Sequence, residues 1–336
     1  MRVFITGGTG LIGRHLIRRL GDRGDQPVVV SRQADKVRRE PGMRPVRVVQ
    51  GDPTIPGPWE AELDGCDAVV NLAGHNIFAQ RWNPEVKRKI RDSRVYGTEH
   101  VVAAIAKAKV PPKVLVQASA IGYYGPHGDE ALTEDSPSGS DFMAVVSREW
   151  EEAAHPAEAR GVSVARIRIG VVLAREAGAL AVMTPIFRWG GAAPIGSGGG
   201  LLKPGSGRQW MSWIHIADIV GIVLLALDNP EARGPINGTA PQPVRNADFS
   251  KALARVLWRP YVPLGPPDAM LELVLGEVAQ VITKGQKVLP TRAQALGYRF
   301  EYPELAGALR ALFTKPKAPP RPEPIPAASG AHRAHH

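Results

Sequence analysis

Apolar positions along the chain fall into two alternating textures. Short unbroken apolar runs, Arg2 to Thr6, Pro27 to Ser31, Arg44 to Asp52, Asp67 to Gly74, Lys113 to Gly125 and Val162 to Gly170, read as buried strands, the fifth running into a loop. Between them lie stretches with helical spacing. In Leu11 to Gly24, the positions Leu11, Ile12, His15, Leu16 and Leu20 share one face, with arginines elsewhere, and Gly21 and Gly24 offer a stop. Further helices are predicted from about Pro84 to Lys109 and from Ser140 to Arg160. Apolar strands alternating with helices imply an α/β chain built on a Rossmann-type doubly wound parallel sheet covered on both faces.

After Gly170 the pattern loosens. Arg188 to Trp210 is rich in glycine and proline and reads as loop, followed by mixed short elements. Three helical patterns come last, Asn246 to Trp258, Pro267 to Ile282 and Pro303 to Phe313. These suggest a smaller mixed and helical C-terminal region closing a substrate cleft. The expected organisation is a cofactor domain over 1–170, its sheet completed by later segments, a cleft region over 171–314, and a basic tail over 315–336. That tail, rich in proline and alanine, is too poor in apolar residues to fold and is expected to be disordered.

Composition narrows the class. The chain has 336 residues, 44% of them hydrophobic, enough to bury a core without disulfides or metal. Its single cysteine, Cys66, forms no internal disulfide and reads as an inert buried residue suited to a reducing cytoplasm. The first strand begins at Arg2, so no targeting segment is expected. The longest apolar run, Ile219 to Leu227, is about half of what a bilayer requires, so no membrane partner is expected. The net charge of +10 is spread along the chain without aromatic interleaving, so no nucleic-acid partner is expected either.

The chemistry is concentrated at the first strand–helix turn. Gly7, Gly10 and Gly13 form a G-x-x-G-x-x-G pattern between a strand and a helix. One glycine permits the sharp turn, one lets the backbone approach a pyrophosphate, and one lets helix and strand pack closely. The helix N-terminus then presents free N–H groups and a positive dipole end. Thr9, Leu11 and Ile12 complete the cofactor-binding turn. At the end of the second strand, Ser31-Arg32 stands where an NAD site usually carries an acid, with Lys36, Arg38 and Arg39 beyond. A guanidinium suits a 2′-phosphate, which favours NADP; the alternative is that Arg32 is plain surface charge.

With these pieces the chain resembles the extended short-chain dehydrogenase/reductase superfamily of NAD-dependent epimerases and dehydratases. "TGGTGLIG" (Thr6 to Gly13) is similar to its opening motif, Gly51-Asp52 to the pair beside the adenine, and "NLAG" (Asn71, Leu72, Ala73, Gly74) to the segment along the cofactor. More narrowly it resembles the "epimerase family protein" group, which ends in a domain of unknown function (DUF1731), here from about residue 248. The segments carrying that likeness are Arg81-Trp82, Ser93 to Thr98, Ser119 to Gly125, Gly205 to Val220, Asn237 to Phe249 and Gly276 to Pro290. The resemblance covers about residues 1–314 and implies a nucleotide-binding oxidoreductase or epimerase acting on a small molecule.

The resemblance also implies a Ser, Tyr and Lys set, with Tyr-x-x-x-Lys on the helix after "SAIGYYG". That helix reads "SDFMAVVSREWEEAA" and has neither residue; no tyrosine in the chain has lysine four positions on. Ser119 remains near the serine position. Tyr123 and Tyr124 are the tyrosines close in sequence to the cofactor edge, and each is either an acid/base group or a packing aromatic. Substrate-side candidates are His75, Asn76, Arg81, Gln209 and His215. For His215 the preferred reading is ordering of a helix start; Trp210 and Trp213 read as cleft walls. Two functions stay open: an NADP-dependent oxidoreductase of atypical site, or a catalytically silent NADP(H)-binding sensor or scaffold.

Overall fold

The computed structural model describes residues 1–40, 46–196, 198 and 203–314. The proposed tail at 315–336 and the first two residues of the predicted strand Arg44 to Asp52 lie outside them.

Five strands open the chain: β1 (Arg2–Thr6), β2 (Gln26–Ser31), β3 (Arg47–Gln50), β4 (Ala68–Asn71) and β5 (Val114–Ala120). They join the strands Ser163–Ile169 and Gly234–Gly238 in one parallel sheet of seven. The spatial order is Gly234–Gly238, Ser163–Ile169, β5, β4, β1, β2, β3. The chain runs outward from β1 to β3 and then returns to the other side of β1 at β4. A crevice therefore opens beyond the carboxyl ends of β1 and β4, the switch point where doubly wound sheets bind ligands.

The central strands carry apolar residues on both faces because both faces are covered. On one face Val3, Ile5 and Val29 pack with Leu16 and Leu20 of helix α1 (Leu11–Asp22) and with Ile219 and Val223 from the run Ile219 to Leu227. On the other, Phe4 and Val69 pack with Trp59, Leu63, Val101 and Ile105. The period-two side-chain alternation of a strand sends Phe4 to one core and its neighbours Val3 and Ile5 to the other.

Helix α2 (Ala34–Arg39) follows β2, and α3 (Pro84–Lys107) begins at Asn83, whose side chain accepts from Val86 N at 2.8 Å. Helix α4 (Phe142–Ala154) begins at Asp141, which accepts from Ala144 N at 2.8 Å. The helix expected to reach Arg160 ends at Ala154, and His155–Arg160 forms a 3-10 turn. Pro156 has no N–H and its ring crowds the preceding turn, so the α-helix cannot continue through it. The loop expected after β5 is also ordered, as a 3-10 turn at Ile121–Tyr124.

The strand Gly234–Gly238, sequence GPING, carries no apolar pattern. It sits at the sheet edge, where Pro235 is tolerated. A third core gathers the later elements, including Leu180 and Phe187 of α5 (Gly178–Arg188), Trp213, Phe249, Leu253 and Leu309. Asp218 of α6 (Ile216–Asp228) ties the C-terminal segment down. Its buried carboxylate accepts from Glu301 N at 2.7 Å, Tyr302 N at 3.0 Å and Tyr298 Oη at 3.1 Å.

Candidate functional site

The glycine turn lies in the crevice and is built by close approach. Gly7 has φ of +67°, a region that disfavours a side chain, and a Cβ on it would stand 2.5 Å from the Leu72 carbonyl carbon. The turn after β1 is thereby pressed against the segment leaving β4. At Gly13 a Cβ would stand 2.5 Å from Gly7 O and 2.6 Å from Gly8 Cα. Here α1 crosses directly over the turn.

Gly10 caps α1 without a side chain, and the first turn of the helix has no acidic residue. The N–H groups of Leu11, Ile12 and Gly13 have no carbonyl one turn back to donate to. Donors left without a helical acceptor at a dipole's positive end, with no acidic residue in the first turn competing for them, fit a diphosphate. Thr9 contributes its carbonyl to Arg14 Nε at 2.8 Å, which steadies the turn.

The second strand delivers Ser31 and Arg32 to the same edge. Ser31 Oγ accepts from Gln33 N at 3.1 Å, and the Arg32 carbonyl accepts from Gln50 Nε2 at 2.8 Å. The Arg32 side chain is exposed and has no hydrogen-bond partner among the described residues. Asp52 shapes the next loop, its Oδ1 accepting from Thr54 N at 2.9 Å and Thr54 Oγ1 at 2.8 Å.

Of the segment after β4, Leu72, Ala73 and Gly74 border the crevice, whereas Asn71 turns inward. The Asn71 side chain accepts from Thr6 Oγ1 and donates to Thr98 Oγ1 and Gln117 Oε1, each at 2.9 Å. It fastens β1, β4, β5 and α3 together under the crevice. Gly74 is exposed, and next to it His75 donates its backbone N–H to Ser93 Oγ at 2.9 Å. Burial, with Arg94, Lys89 and Arg32 nearby, holds the His75 imidazole below its ordinary pKa.

Ser119 and Tyr124 are placed in the core, 1% and 0% exposed. Ser119 Oγ donates to Glu151 Oε1 at 2.7 Å. Arg168 donates to both Glu151 oxygens, at 2.8 and 3.0 Å, and to Tyr124 Oη at 3.0 Å. Tyr124 Oη donates to Asn237 Oδ1 at 2.7 Å, and burial pushes its phenol up to about 12. This chain of buried polar groups joins β5, α4 and the strands Ser163–Ile169 and Gly234–Gly238, so neither oxygen faces the crevice. Tyr123 stays half-buried, its ring centroid 3.5 Å from the Arg168 guanidinium carbon.

The Glu151–Arg168 pair was not singled out from the sequence. Its two residues lie on different elements, and no spacing rule connects them. On the substrate side, His215 does order a helix start. It precedes α6, and its Nδ1 accepts from Ala217 N at 3.1 Å while its ring lies 3.8 Å from that of Tyr302. Trp213 is not a cleft wall, because it is fully buried in the third core. Trp210 does line a surface groove, under Arg245 at 4.0 Å. Gln209 donates to Ile195 O and Ile282 O at 2.6 and 3.1 Å. Asn76 closes a local turn to Phe78 N, and Arg81 lies beside Gly276.

The sequence profile of the NAD dependent epimerase/dehydratase family matches residues 3–237, and that of the domain of unknown function DUF1731 matches 266–312. The chain is 43% identical to the chloroplastic epimerase family protein SDR39U1 homolog of Arabidopsis thaliana, covering 93% of this chain and 87% of that protein. It is 38% identical to the epimerase family protein YfhF of Bacillus subtilis, over 94% and 99% of the two chains. Among solved structures it is similar to human epimerase family protein SDR39U1 (isoform2) with NADPH. The TM-score there is 0.80 at 36% identity, covering 93% of this chain and 99% of that one.

Proposed function

The chain belongs to the NAD-dependent epimerase/dehydratase family, and from that premise we propose that it binds NADP(H) and acts as an oxidoreductase or epimerase on a small molecule. The observation that carries this reading is the glycine turn, with its close approach at Gly7 and Gly13 and its free first-turn N–H groups. The NADPH in the human relative's structure supports the choice of nucleotide. In this reading residues 1–170 hold the cofactor and 171–314 shape the substrate side.

Leu11, Ile12 and Gly13 donate backbone N–H groups to the diphosphate, and Arg32 with Ser31 holds the 2′-phosphate. Asp52 flanks the adenine, and Leu72 to Gly74 line the path toward the nicotinamide. When bound, the nicotinamide supplies hydride transfer. Tyr123 is the tyrosine left to handle a proton, since Tyr124 and Ser119 are committed to the buried network. That commitment also favours the second reading, an NADP(H)-binding protein without turnover. Buried Cys66, its thiol pushed up to about 11 by burial, suits a reducing compartment such as the cytoplasm.

The test is titration of the purified chain with NADPH and NADH at fixed salt, following ligand fluorescence. Tighter binding of NADPH, weakened about tenfold or more by Arg32→Glu while NADH is unaffected, supports the reading. Equal binding of both nucleotides, or of neither, refutes it. Turnover of any carbonyl compound that Tyr123→Phe abolishes would separate the enzyme from the silent binder.

A further inference from the structure

The cation beside the exposed end of the "NLAG" segment has no counter-ion among the described residues. Arg94 of α3 lays its guanidinium against Gly74, where a Cβ would stand 3.2 Å from Cζ and 3.4 Å from Nη2. Its Nη1 donates to His75 O at 3.1 Å and to Ile90 O at 2.9 Å. The guanidinium carbon is 5.0 Å from the Trp150 ring centroid on α4. No carboxylate of a described residue pairs with it. Its neighbours differ: Arg91 donates to Glu149 at 2.6 Å, and Arg168 is held by Glu151.

Burial lowers the Arg94 pKa to about 10, which leaves the group charged at neutral pH. Nε and Nη2 have no hydrogen-bond partner among the described residues, and the side chain is half-buried. Beside Arg94, His75 Nε2 is buried and also unpartnered. A half-buried guanidinium satisfied only by carbonyls is costly, and its planar fork matches an oxyanion.

We propose that Arg94 is the seat for an anionic group, a carboxylate or phosphoryl, carried by the substrate that meets the cofactor. The proposal rests on the NADP(H) reading above. The cofactor's diphosphate already has the start of α1. Arg94 lies on the other side of residues 72–75, between them and α4. The turn bearing Tyr123 packs on that same helix, since a Cβ on Gly122 would stand 3.4 Å from Met143 Cβ. An anion on Arg94 would therefore anchor a substrate beside that turn.

The test uses the full chain saturated with NADPH, titrated with inorganic phosphate or acetate at constant ionic strength, reading the thermal midpoint. A saturable rise is expected for the wild type, weakened at least about tenfold in Arg94→Met and less in Arg94→Lys. NADPH affinity should stay within about threefold in both variants. The proposal is overturned if wild type and Arg94→Met respond alike. It is also overturned if Arg94→Met instead loses NADPH affinity about tenfold, which would give the guanidinium to the cofactor's diphosphate. Arg94→Lys keeps the charge and controls for a folding defect in Arg94→Met. Failure of the wild type to bind NADPH overturns the cofactor reading by itself. The same phosphate titration without nucleotide then decides the anion seat.

Discussion

Replacing Gly13 by alanine sets helix propensity against close packing. Gly13 lies in the first turn of α1, and in an open helical position alanine is better than glycine by about 1 kcal/mol. At Gly13 the new Cβ would stand 2.5 Å from Gly7 O, about 0.9 Å inside the ordinary contact that begins near 3.4 Å. The atoms it meets, in Gly7 and Gly8, are backbone and cannot rotate away. Overpacking of this kind costs about 1–3 kcal/mol, so a net loss of up to about 2 kcal/mol is expected. The turn must move to make room, which should weaken NADPH binding about tenfold or more. Gly21 supplies the internal control. It is in the same helix with no atom within 4 Å of its would-be Cβ, so Gly21→Ala should stabilise by about 0.5–1 kcal/mol. Urea unfolding of both variants, with NADPH titration of each, makes the comparison. A Gly13→Ala protein as stable as wild type and binding NADPH normally would refute the packing argument.

Three other expectations follow from the interior. Arg168→Met leaves Glu151 buried without its partner and should cost about 3–5 kcal/mol in urea unfolding; a loss under about 1 kcal/mol would mean the pair is not sealed from water. Tyr124→Phe removes a hydroxyl bonded to Asn237 and Arg168, and should cost about 1–2 kcal/mol of stability with NADPH affinity unchanged; a selective loss of binding would instead place Tyr124 at the ligand. Burial holds His215 at about 4, below the 6.5 of an unfolded histidine, so the unfolded chain binds the extra proton between those values. Stability should therefore fall as pH drops from about 6.5 toward 4, by about 3 kcal/mol from this group. In His215→Asn, which keeps a capping acceptor, that part of the acid slope should disappear; an unchanged slope would rule out His215 as its source.

The alternating strands and helices, the glycine turn and the departure from Tyr-x-x-x-Lys are legible along the chain. These are local properties: strand runs and helical faces repeat within a few residues, and a turn that excludes a side chain needs glycine wherever it occurs. The end of the helix at Ala154 was also written locally, in Pro156. Other features came only with the tertiary structure. The strand Gly234–Gly238 is a strand because Ser163–Ile169 offers it an edge, and GPING has no apolar pattern to announce it. Ser119 and Tyr124 look available in "SAIGYYG", yet Glu151, Arg168 and Asn237 enclose them from three other elements. Arg94 looks like one more surface arginine on α3 until Gly74, His75 and Trp150 are packed around it. Whether a polar side chain faces ligand, solvent or a buried partner depends on groups distant in sequence, and the fold alone brings those together.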